Sequence, residues 1–434
     1  MQSLHSRQVR RLVPIATALT LAAVLAGCSS GTSSSGGAGS FGLLINDDNK
    51  VVQDALTKLS TDQCSAENKA LPFKVDTVPQ SGLDQQLQLL GGQSALPAQF
   101  AASGSPAVTQ SLNKAGQTLD LKKALTEKAA IDNIEPAAIS TIENLYGSFI
   151  VLPYQFNIEG VWYNKQVFAD NGLKVPTTWD EMVSAADKLK ASGVTAFSAS
   201  GEQGWPITRL ISGYLYRELG PDALKKVAEG KAKLTDPEYV KAAQAVADLG
   251  AAGLFGEGVG SIDYDTSVSQ FLTGKAGMLY MGSWALGAFN DPKANQIGAD
   301  NIGFFPIPEV TGGAGNANQI PANVGLPIAV SAKSYNDGVG NWLKCVSENY
   351  GTVSLSEQGT ISGFKTKGEV KDLPPLTSLV QEKIASTTDP VLWFEALFGS
   401  KATLTSQQNA APLVTGSLTA EAFMSKVQAD LGAK

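Results

Sequence analysis

The 434-residue chain holds a single histidine, His5, which stands ahead of the body of the protein. Without another, the body can assemble neither a Ser-His-Asp nor a Cys-His nucleophile, and it has no His-ligated zinc site. Cysteine is almost as scarce, with only Cys28, Cys64 and Cys345. The latter two cannot by themselves complete a structural zinc site. Clustered positive charge is missing too: beyond residue 28 the basic runs are pairs such as Lys122-Lys123 and Lys225-Lys226. Nucleic-acid binding needs denser Lys and Arg than that. The apolar run Leu12 to Ala26 is short of the roughly 20 residues that span a bilayer. The glycine-rich stretch Gly312–Gly315 is followed by no Lys-Ser/Thr, so it is no phosphate cradle. No cofactor and no metal are expected.

The leader is the most informative segment that is present. Arg7, Arg10 and Arg11 precede the apolar run, residues 1–27 contain no acid, and the run ends Leu25-Ala26-Gly27-Cys28. A basic start, a short apolar stretch and small residues at the end read as a secretory signal. Leu-Ala-Gly-Cys resembles the bacterial lipoprotein cleavage box. The resemblance implies that Cys28 is lipidated, becomes the mature N-terminus and anchors the chain to the outer face of the cell membrane. Ser29 to Ser40 is all Ser, Gly, Thr and Ala, which cannot bury apolar surface and is expected to act as a flexible tether. Loss of three leader arginines takes the formal charge from −7 to about −10, an acidity that favours solubility. The body then starts near Phe41 and runs about 390 residues, too long for one ordinary core, so two lobes are expected. Outside the membrane the even pair Cys64 and Cys345 favours a disulfide over two separately buried thiols.

Strands and helices alternate at the start of the body. Phe41 to Ile45 and Phe73 to Val78 read as strands, each followed by a helix, at 49–60 and 82–90, with Asn46, Asp47 and Asp48 placed to cap the first. The pattern predicts an α/β protein with parallel pairing. Residues 91–148 read as helices and loops. Further strands are expected at 149–153, 158–163, 195–200, 277–281, 301–308 and 324–331. Thr178-Trp-Asp-Glu181 is a capping box. Beyond Tyr335 the chain reads as helix, broken at Gly363, Pro374-Pro375 and Pro412.

Three segments carry a family resemblance: Gly160-Val-Trp-Tyr-Asn-Lys165 continuing to Pro176-Thr-Thr-Trp-Asp-Glu181; Phe271-Leu-Thr-Gly-Lys-Ala-Gly-Met-Leu-Tyr-Met-Gly-Ser-Trp284; and Ile302-Gly-Phe-Phe-Pro-Ile-Pro308. In order and spacing they resemble the extracellular solute-binding proteins of bacterial ABC importers, in the sugar-binding branch that includes maltose-binding protein. The resemblance covers essentially everything after Phe41 and is weakest over 41–150. It implies a two-lobe, periplasmic-binding-protein-like clam-shell with a ligand cleft between lobes, an N-lobe from 41–152 and 302–350 and a C-lobe from 153–301 and 351–434. Cys64 and Cys345 then share the N-lobe. It also implies a monomer that is not an enzyme, and a sugar delivered to permease subunits of an ABC transporter.

A pyranose has an apolar face ringed by hydroxyls, so its binder needs flat aromatic surfaces and fixed polar groups. Trp284 follows a strand end, Trp205 a loop after another strand, and Trp393 follows Asp389-Pro390; all three match cleft aromatics of the family. Glu395 is a candidate hydroxyl acceptor. Asn46, Asp47 and Asp48 follow the first strand, and Gln155 and Asn323 fall at the expected crossings between lobes. Trp162, Trp179 and Trp342 read as core. Neither Asp263/Asp265 nor Asp180/Glu181 resembles a carboxylate pair set across a glycosidic bond. The alternatives are the same fold with a polyol, peptide or glycerophosphodiester as ligand, and an envelope glycoside hydrolase.

Overall fold

The computed structural model describes residues 39–46, 50–79, 82–102, 106–387 and 389–431. The leader, Cys28, the tether before Gly39, and Asp47 and Asp48 lie outside the described residues. Ten strands are present in this part: β1 (Phe41–Asn46), β2 (Phe73–Val78), β3 (Gln99–Ala101), β4 (Val151–Pro153), β5 (Asn157–Asn164), β6 (Thr195–Ser198), β7 (Ala276–Gly282), β8 (Ile302–Phe305), β9 (Ala322–Asn323) and β10 (Pro327–Val330). They form two five-stranded groups. The first runs β2-β1-β3-β10-β4; the second runs β6-β7-β5-β8, with β9 added to β5.

In the first sheet β1 pairs parallel with β2 and β3, and β10 enters antiparallel between β3 and β4. All six residues of β1 are buried, as a central strand covered on both faces requires. Three-residue β3 falls within 91–148, which the sequence reads as helices and loops without a strand. Its Gln-Phe-Ala carries no alternation long enough to count as a strand, and pairing on both sides makes it one.

The second sheet shows the period of two that a strand imposes. Val161, Met278 and Tyr280 join one apolar cluster with Trp179, Phe197 and Phe394, whereas Trp162, Leu279 and Met281 face the other cluster with Phe271 and Phe289. The capping box is formed: Thr178 accepts from the Glu181 amide, and the Glu181 carboxylate accepts from Thr177 and Thr178 amides. Those bonds hold the exposed Glu181 carboxyl below its ordinary range. Asp263 caps the helix Tyr264–Leu272 in the same way through the Thr266 amide. Both candidate acid pairs therefore have structural work at helix starts.

The chain passes between sheets side by side. One passage is Tyr154-Gln155-Phe156, from β4 to β5; another is β9 to β10, and β9 pairs antiparallel with β5 through Asn157 and Asn323. Val391 bridges to Pro321 on a third. Two boundaries differ from the sequence reading. Strand β8, grouped there with the N-lobe, pairs along β5 from Val161 to Asn164 and belongs to the second sheet. The cut at 350/351 falls inside one continuous helix, Asp337–Gln358, and the segment after it stays with the first sheet: Gly363 donates to the Pro153 carbonyl and Lys365 to that of Asn133. Pro412 is no helix break either. It sits near the end of Ser400–Val414, where the helix has little further to run.

Cys64 and Cys345 are joined, with Cα atoms 5.8 Å apart across 281 residues of sequence. The bond ties the start of the helix Ser65–Ala70 to the middle of Asp337–Gln358. Beside it Trp342 is fully buried, donates to the Leu71 carbonyl and stacks on Phe41 at 4.7 Å.

Candidate functional site: an interlobe cleft

A cavity of about 480 Å³ opens between the two sheets, a size within the roughly 300–1,000 Å³ of small-molecule sites. From the first-sheet side come Asn46 at the end of β1, Ala101 at the end of β3 with Ala102 after it, and Tyr146 at the end of the helix Pro136–Tyr146. From the second come Trp284, Trp393 and Arg209, and Asn323 and Val324 reach it from a crossing. Among the described residues lining it, Arg209 is the only charged one.

The sequence places Trp284 there through two neighbours. β7 ends at Gly282, and a single turn, Ser283–Ala285, carries Trp284 off the strand end. A Cβ on Gly282 would overlap the six-membered ring of Trp284, so glycine lets the indole fold back over the strand. Ser283 is fixed from below by its bonds to the Ile158 amide and to Asn157. Trp205 opens the helix Trp205–Leu219, and its ring meets that of Trp284 edge-on at 5.7 Å. Gly204 before it takes φ +72° with its Cα face pressed on the Gln407 carbonyl, a position only glycine fills without strain.

Arg209 was not singled out from the sequence. It lies four residues after Trp205 on the same helix, the spacing that stacks side chains on one face. Its guanidinium carbon is 5.1 Å from the Trp205 ring centroid and 5.3 Å from that of Trp393. The guanidinium Nη1 pairs with the fully buried Glu159, and Nε lies 4.0 Å from Glu395 Oε2. Asn323 donates to the other Glu159 oxygen at 2.8 Å, and the Tyr280 hydroxyl also donates to Glu159 at 3.3 Å.

The candidate residues sort as follows. Trp284, Trp393, Asn46 and Asn323 line the cavity, and Trp205 packs against Trp284. Glu395 is 4 % exposed and stands behind Arg209, accepting from Thr208 and from Ser406. Both bonds end on Oε1, and Oε2 lies toward Arg209 Nε at 4.0 Å. Burial pushes its carboxyl above the ordinary range, against the opposing pull of Arg209 and the two hydroxyls. Gln155 is half-buried in its crossing, where its backbone N–H donates to the Gly325 carbonyl, and it is not among the lining residues. Trp162 and Trp179 are buried away from the cavity, as their core reading requires. The glycine-rich loop closes the end of the Trp205–Leu219 helix: Ala314 and Gly315 amides donate to the Glu218 and Arg217 carbonyls.

The family model of the bacterial extracellular solute-binding proteins matches residues 50–349. The chain belongs to that family. A multiple sugar-binding protein of Streptococcus mutans is 27 % identical over 297 residues, 66 % of each chain. An sn-glycerol-3-phosphate-binding periplasmic protein of Brucella melitensis is 27 % identical over 230 residues, 51 % of each. Among solved structures, a chitin oligosaccharide binding protein superposes with a TM-score of 0.71 at 28 % identity, over 90 % of this chain and 97 % of that one. The matched region spans about half to two thirds of the length of the curated relatives. Among the described residues no helix is long and apolar enough to cross a membrane.

Proposed function

We propose that this protein is a lipid-anchored receptor that captures a sugar, an oligosaccharide, in the interlobe cleft and delivers it to the permease of an ABC transporter. The observation that carries the reading is the cavity itself. Indole rings of Trp284 and Trp393 offer flat apolar surface from one side, and Asn46 and Asn323 bring side-chain amides to the wall. The sugar and oligosaccharide names of the relatives agree with the reading.

Contacts drawn from both lobes exist only when the lobes meet, so the ligand favours the closed arrangement by a population shift. No carboxylate is among the described residues lining the cavity, whereas glycoside hydrolysis needs two facing the bond. Arg209 on the lining gives a second reading, a phosphate-bearing ligand such as the relative's sn-glycerol 3-phosphate.

A thermal-shift screen against mono- and oligosaccharides, polyols, peptides and sn-glycerol 3-phosphate tests the reading, because a ligand of the native state raises the melting temperature by mass action. The largest shift is expected from an oligosaccharide; a shift from another class alone removes the sugar. For the anchor, Cys28→Ser is expected to move the protein from the membrane fraction to the soluble one. Retention on membranes through a high-salt wash contradicts lipidation of Cys28.

A further inference from the structure

Arg209 faces the cavity with its charge already answered. Its guanidinium lies between the Trp205 and Trp393 rings and is flanked by two buried carboxylates, Glu159 paired to Nη1 and Glu395 4.0 Å from Nε. The arginine side chain is 12 % exposed, those of Glu159 and Glu395 0 % and 2 %. A lone arginine on a cleft wall is a phosphate and carboxylate receptor. Here an arriving anion would gain one cation and approach two carboxylates through a medium that screens poorly. Fixed between aromatic faces, the planar fork nevertheless keeps donors in a set direction, which suits uncharged oxygen acceptors. Asn323 reinforces the arrangement, since it lines the cavity and donates to Glu159 at the same time.

We propose that Arg209 is a ligand-contacting, specificity-determining residue: it donates to hydroxyl oxygens of a neutral sugar, and Glu159 and Glu395 behind it exclude phosphorylated and carboxylated ligands. The first half rests on the sugar reading of the cleft; the exclusion of anions does not.

Calorimetric titration of the whole protein tests both halves. The probes are the neutral sugar giving the largest thermal shift, sn-glycerol 3-phosphate and inorganic phosphate. Wild type is expected to bind the neutral sugar and to give no heat with either anion at the concentration that saturates with sugar. Glu395→Gln removes one carboxylate at constant shape and is expected to gain at least tenfold in affinity for the anions. Arg209→Lys keeps the charge but loses the fork, and is expected to weaken the neutral sugar at least tenfold. Melting curves without ligand establish that each variant is folded. Should Arg209→Lys not fold, the double variant Arg209→Gln/Glu395→Gln, which removes charge of both signs, takes its place with the same expected loss. Wild-type affinity for an anion equal to that for the sugar overturns the exclusion, as does an unchanged anion affinity in Glu395→Gln. Unchanged sugar affinity in the arginine variants overturns the contact. If no neutral sugar binds wild type, the sugar reading fails, and the anion titrations of Glu395→Gln still judge the exclusion.

Discussion

Single residues set the geometry of the cleft, and Gly282 is the clearest case. A methyl group there has no space beneath the Trp284 ring, so Gly282→Ala is expected to turn the indole away while β7 stays paired. Ligand affinity should fall by about tenfold, near 1.4 kcal/mol for loss of part of a stacking surface, with a small change in melting temperature. Equal affinities in a titration of the variant and wild type contradict that coupling. Trp284 was legible from the sequence because a strand, two small residues and an aromatic announce an indole at a strand end. Arg209 was less so. Its signal was the i,i+4 spacing from Trp205, but its partners Glu159, Trp393 and Glu395 come from distant parts of the chain, and no local pattern brings them together. The same distance applies to Glu395: an acid beside a cleft aromatic reads as a ligand group, and no local pattern announces that Thr208 and Ser406 donate to its Oε1.

At the scale of elements, local rules held where they are self-contained. The Thr178–Glu181 box and the strands Phe41–Asn46 and Phe73–Val78 depend on neighbours within a few residues. Strand β3 and the placement of β8 depend on pairing across the sheet and were misread. The disulfide is the longest-range tie of all. It fixes the short helix after Cys64 onto Asp337–Gln358, a contact that closes a 281-residue separation. A cross-link over so long a loop restricts the unfolded chain strongly, and removing it typically costs about 2–5 kcal/mol. Cys64→Ser/Cys345→Ser is therefore expected to unfold at clearly lower denaturant concentration, with ligand affinity at native conditions unchanged because both cysteines lie outside the cavity lining. A midpoint equal to wild type contradicts the structural role.

At the scale of the molecule, the two sheets and their paired crossings make the cleft. β9 hydrogen-bonded to β5 places Asn323 where it touches both the cavity and Glu159, so a crossing strand joins the cleft wall to the core. The clam-shell was legible through three family segments, all in or beside the second sheet. The first-sheet wall matched least and kept its contacts least legible, with Asn46 on the lining and Asp47 and Asp48 outside the described residues.

The claim that this cleft captures a sugar is tested most directly by titrating wild type and Trp284→Ala with the oligosaccharide selected by thermal shift. Loss of indole stacking and buried area is expected to weaken binding by about 1–3 kcal/mol, with one site per chain in both proteins. Saturable binding of equal affinity in the two would place the sugar elsewhere and contradict the account.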